Sequence, residues 1–168
     1  SGGFTLEVGE VLQIVVGHQG GSGSTSGVDI NEDNAGGGGG GGTFVYYNDY
    51  GAGGTYPLIV AGGGGGAETP RDGVNAVTSV NGTDSLEGGT VGSGGINGTH
   101  GSIGDQTNGN FHGGPGAGWK SRNDYRKATN HGEGGYSYAG NWVGGYSGPD
   151  NPDAVGGFGG GGGASEDN

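Results

Sequence analysis

The chain has 168 residues, 52 of them glycine, and a formal net charge of −12 from 17 acidic and five basic side chains. That charge argues against a nucleic-acid partner or an anionic lipid surface, because little is present to neutralise phosphates. The absence of cysteine excludes disulfides, thiol chemistry and Cys-ligated metal, and five prolines without a G-X-Y period exclude collagen despite the glycine content.

Leu, Ile, Val and Phe together fall below a fifth of the chain, a composition shared with disordered proteins. The apolar residues are bunched, however, and unbroken glycine runs abut them directly. No apolar stretch approaches the ~20 residues of a membrane span. The whole reads as a single glycine-rich domain over 1–168, with a strand-rich part over approximately 4–80 and a glycine-studded part over approximately 81–168.

In chain order, Phe4, Leu6 and Val8 alternate with Thr5 and Glu7, which predicts a first strand. Gly9-Glu10 is a turn signal, and VLQIVV (Val11 to Val16) predicts a second. HQGGSGSTSG, from His18 to Gly27, reads as loop. TFVYY (Thr43 to Tyr47) and TYPLIVA (Thr55 to Ala61) predict two more strands. Pro57 cannot donate to a ladder, so the latter should begin at an edge or break there. Val74 to Val80, with Val74, Ala76, Thr78 and Val80 on one face, predicts a weaker fifth. From Gly82 to Tyr138 glycine interrupts every pattern and helix formers are scarce, which predicts essentially no α-helix beyond a single turn in 120–130.

Pure glycine runs occupy Gly36–Gly42, Gly62–Gly66 and Gly159–Gly163. Ordering each glycine costs roughly 1–2 kcal/mol with no side chain buried in return, so a folded run must recover that through backbone hydrogen bonds and close packing. The extended left-handed threefold helix, polyglycine II, does so. Its N–H and C=O groups all point outward, and side-chain-free neighbours can lie against it. A flexible linker is the alternative, but it leaves unexplained why TFVYY and PLIVA touch two of the runs. As rods in one bundle, Gly36, Gly39, Gly42, Gly62, Gly64, Gly66, Gly159, Gly161 and Gly163 would carry the packing. Valine at Gly39 should then destabilise the domain strongly.

The succession FTLEVGEVLQIVVGHQGG, AGGGGGGGTFVYY, YPLIVAGGGGGA and GGFGGGGG resembles the glycine-rich domain of the anaplastic lymphoma kinase and leukocyte tyrosine kinase ectodomains. The match runs from about Phe4 to Gly163. The resemblance implies a tumour-necrosis-factor-like β-sandwich carrying a bundle of polyglycine-II helices. Lacking cysteine, this chain looks nearer the family's microbial secreted relatives. The family pattern also continues past GGFGGGGG with further glycine helices and a closing strand. The resemblance therefore implies either a fragment or completion by a neighbouring subunit.

Catalytic signals are absent. No glycine is followed by lysine as a P-loop needs, no HExxH joins the four histidines, and no serine sits in G-x-S-x-G. Neither enzyme activity nor a cofactor is expected. Asp29, Asn31 and Asp33 have the alternate spacing of Ca²⁺ ligands, although Asn34 and Gly40 stand where an EF-hand needs Gly and Glu; a solvated acidic loop has the same composition. Asp150 and Asp153 in PDNPD form a second acidic loop. Asn81 and Asn97 head N-glycosylation sequons. Trp119, Tyr125, Tyr136, Tyr138, Trp142 and Tyr146 either pack against the glycine bundle or form a recognition surface.

The function expected from these residues is a non-enzymatic extracellular or cell-surface structural and adhesive module. Its partner would be itself, as homo-oligomer or polymer, or another extracellular protein or glycan. A ligand-binding receptor ectodomain and a phage tail-type adhesin are the alternatives.

Overall fold

The computed structural model describes residues 3–23, 36–47, 57–67, 73–79, 81–84, 92–102, 114–119, 121, 134–135, 141–147 and 153–164. Among these the chain is non-helical, with one small antiparallel sheet and much irregular extended structure.

Three strands form the sheet in the order β1-β2-β3: β1 is Leu12–Val15, β2 is Thr43–Tyr47 and β3 is Ile59–Ala61. β2 is central because its β-branched and aromatic residues suit a pleated surface buried on one side. Phe44 and Tyr46 are buried while Thr43, Val45 and Tyr47 are half-buried. Leu12 pairs with Tyr47 and Val15 with Phe44 on one side; Thr43 pairs with Ala61 and Val45 with Ile59 on the other.

Two expected strands do not form. Phe4, Leu6 and Val8 are exposed, and the segment makes only a local turn, in which the Glu10 N–H donates to the Glu7 carbonyl (3.2 Å). Alternation alone makes no strand without a pairing partner, and the segment does not join the outer edge of β1, beside which no strand lies among the described residues. Likewise 73–79 is not a strand. Its tie is a bond from the Gly65 N–H to the Val74 carbonyl (2.8 Å), which fastens it to a glycine run rather than to the sheet. Of the strand expected over Thr55 to Ala61, the described residues begin at Pro57 and Ile59–Ala61 is strand, with the Leu58 N–H also reaching the Val45 carbonyl (2.8 Å).

All three strands run on into glycine. β1 continues into 16–21, β2 is entered from 36–42, and β3 leads into 62–66. The pairing register survives the change. Continuing Leu12↔Tyr47 one for one brings His18 opposite Gly41 and Gly21 opposite Gly38. The Gly41 N–H donates to the His18 carbonyl (2.8 Å) and the Gly38 N–H to the Gly21 carbonyl (2.8 Å). On the other side, Thr43↔Ala61 continues to Gly40–Gly64 (2.9 Å) and Gly37–Ala67 (2.7 Å). The segment 18–21, expected as loop, is thus a bonded neighbour of the first glycine run.

The core is aromatic. Phe44, Tyr46, Trp119 and Trp142 are buried together, with Val15 against them. Phe44 stacks on Trp142 (centroids 4.3 Å, planes 20° apart), and Trp119 meets the Tyr46 ring edge-on at 5.1 Å. These geometries are worth about 0.5–1.5 kcal/mol per pair beyond the area buried. Both tryptophans come from the glycine-studded half, so the cluster ties that half to the sheet.

Candidate functional site

The site with the most structure is the surroundings of Gly37–Gly42. Its six N–H groups go to three neighbours in strict rotation. Gly37 and Gly40 donate to the segment after β3, and Gly38 and Gly41 to the segment after β1. Gly39 and Gly42 donate to the Gly162 (2.9 Å) and Gly159 (3.0 Å) carbonyls of the last run. Each neighbour therefore receives a bond every third residue, and each runs antiparallel to the centre. The same three-residue step recurs between 18–21 and 155–158, where His18 donates to Phe158 and Gly21 to Val155. It recurs again between 114–117 and 160–163, where Gly114 donates to Gly163 and Ala117 to Gly160.

Packing is as close as the hydrogen bonding. An ideal Cβ at Gly38 would land on the Val155 carbonyl, and one at Gly41 on the Phe158 carbonyl. In the neighbours, a Cβ at Gly17, Gly20, Gly63 or Gly66 would land on a carbonyl of the central run. The direction a side chain would take is filled by a carbonyl oxygen, so Cα–H···O contacts join the N–H bonds. Only glycine permits that approach.

The third run bends. Gly159 (φ 103°) and Gly160 (φ 87°) lie in the left-handed region, and both donate to the Trp142 carbonyl (2.8 and 3.2 Å). The limb 161–164 then folds back on 154–157, the Gly161 N–H bonding the Gly157 carbonyl and Ala164 the Ala154 carbonyl. Gly161 and Gly163 thus sit on the returning limb, buried like the rest of 159–164. Trp142 itself has φ 61°, beside Asn141 at 55°. A bulky residue there carries strain, held by its stack on Phe44 and its doubly bonded carbonyl.

Of the residues singled out in the sequence, Trp119 and Trp142 serve the core, whereas Tyr146 is 61% exposed. Tyr125, Tyr136 and Tyr138 lie outside the described residues, as do Asp29, Asn31, Asp33 and Asp150. No group of three or more metal-binding side chains occurs among the described residues. The two sequons meet: the Asn81 side-chain oxygen accepts the Asn97 N–H (3.2 Å), and the Thr99 hydroxyl bonds the Ile96 carbonyl (2.8 Å). His18 is exposed and packs on Phe158 (5.8 Å), and His100 Nδ1 lies 2.6 Å from the Gly101 carbonyl. Sequence reasoning missed 17–21 and 154–158 as partners of the central run. The GG pairs at Gly20-Gly21 and Gly156-Gly157 were the available signal.

Comparison with family models, with curated proteins and with solved structures found no match to this chain. Among the described residues no helix is long and apolar enough to cross a membrane.

Proposed function

We propose that the chain is a non-enzymatic, extracellular, structural and adhesive module whose glycine runs are polyglycine-II helices packed side by side, and that it self-assembles. The observation carrying this is the rotation of the Gly37–Gly42 N–H groups through three neighbours, Gly37/Gly40, Gly38/Gly41 and Gly39/Gly42. A β-strand sends its bonds to two sides, whereas a threefold helix sends them in three directions. Such a lattice is a stiff rod with bonding groups on every face, suited to building rather than to catalysis.

The β-sandwich is part of the same proposal. One face of the sheet covers the aromatic cluster, while the row Ile14, Val45, Ile59 on the other face leaves Ile14 64% and Ile59 43% exposed. A second sheet would cover that row. The extracellular setting rests on the resemblance to the receptor and microbial secreted domains. Electron microscopy and light scattering of the purified chain over a wide concentration range test the assembly: fibres or ordered layers are expected, and a monomer throughout would overturn it.

A further inference from the structure

Among the described residues the lattice has an open side, and it is continuous with an open sheet edge. β3 is an edge strand, unpaired on its outer side among the described residues, with Ile59 and Val60 exposed. It runs directly into Gly62–Gly66, where every residue except Gly64 is exposed. Within that run one row of backbone groups faces inward: the Gly64 carbonyl accepts from Gly40, and Ala67 exchanges bonds with Gly37. A second row reaches Val74 through the Gly65 N–H. The third row, the N–H groups of Gly63 and Gly66, has no partner among the described residues. An ideal Cβ at Gly62 meets nothing within 4 Å.

We infer that Ile59–Gly66 is an addition edge for a second copy of the same edge, paired antiparallel about a two-fold axis. This rests on the self-assembly proposed above and names the surface that does it. Three observations select the occupant. An unprotected edge strand is a template for another chain, and here no charge appears from Pro57 to Ala67, with Pro57 the sole guard, at its start. The close approach seen within the lattice demands a side-chain-free partner. The chain's other two pure runs are engaged internally, the first bonded on three sides and the last buried, so only Gly62–Gly66 is free to supply one. The three segments that accept the N–H groups of Gly37–Gly42 all run antiparallel to it, which is also what a two-fold axis perpendicular to an element imposes when that element meets its own copy. The net charge of −12 opposes association, but none of it is contributed by residues 57–67. It is screened beyond about 8–10 Å at physiological salt.

The test uses the full chain. Tyrosine at Gly62 projects into open space in the single molecule yet stands where the second copy would lie. Sedimentation velocity of wild type and Gly62→Tyr, with circular dichroism and melting as controls on folding, should show unchanged melting and an apparent dissociation constant raised at least about tenfold. Hydrogen exchange of the wild type needs no variant: the Gly63 and Gly66 amides should be fast in dilute solution and slowed at least about tenfold on association. A wild type that associates with those amides still fast, or a folded Gly62→Tyr that associates equally well, overturns the edge and leaves self-assembly standing. A wild type that never associates overturns both.

Discussion

The chain passes from a sheet into a glycine lattice without losing register, and only the number of neighbours changes. In β2 the apolar side chains occupy both faces, so backbone bonds are confined to two sides, toward β1 and β3. Immediately before β2, where side chains stop, the same backbone gains a third neighbour in 159–162 and bonds in steps of three. Side chains here set the coordination number of the main chain. Glycine contributes by vacating the space a further backbone then fills, more than by its freedom of φ.

Trp142→Ala should have the largest effect, because that residue belongs to both regions. Its ring lies under β2 and its carbonyl holds the Gly159–Gly160 bend. Removing the ring should cost about 3–5 kcal/mol in urea unfolding, with sheet and lattice lost in one transition. Two separate transitions would show that the regions are independent.

Alanine substitution along 37–42 sharpens the comparison most directly. Gly38→Ala and Gly41→Ala place a methyl on a carbonyl and should cost about 3 kcal/mol or more. Gly39→Ala and Gly42→Ala meet atoms at 3.3 and 3.0 Å and should cost about 1–2 kcal/mol. Gly37→Ala and Gly40→Ala meet nothing nearer than 3.5 and 3.4 Å. They should be within about 1 kcal/mol of wild type, since alanine also restricts the unfolded chain. Urea midpoints repeating every third residue are expected; repetition every second residue would mean that the glycine run is merely more strand. The valine substitution at Gly39 is therefore a milder test than its central position suggested, and Gly41 is the severe one.

The smallest effect is expected on the open sheet face. Ile14→Thr and Ile59→Thr, at exposed positions that keep β-branching, should change stability by no more than about 0.5 kcal/mol in the isolated chain. A loss well above that would mean that this face is already covered.

What could be read in the sequence follows the same division. TFVYY announced itself as an unbroken β-branched and aromatic run, and the lack of helix among the described residues followed from glycine density. The partners of Gly37–Gly42 could not be read, since a residue without a side chain carries no pattern that specifies what lies beside it. Hence 18–21 looked like loop, and 154–158 carried no pairing of its own to read. FTLEV misled for the opposite reason, having the strand pattern but no neighbour. Trp119 and Trp142 were visible as aromatics, yet their meeting with Phe44 and Tyr46 depends on contacts between residues far apart in the chain.

The rotation of bonds around Gly37–Gly42 also fixes an order of events. Its three neighbours lie near residues 20, 65 and 160, so the centre of the lattice is assembled from contacts spanning almost the whole chain. Folds dominated by such distant contacts form slowly, and a glycine run resists ordering more than any other sequence. During synthesis the sheet can form once β3 has emerged, while the middle rod waits, two of its three sides bonded, for the last neighbour to leave the ribosome.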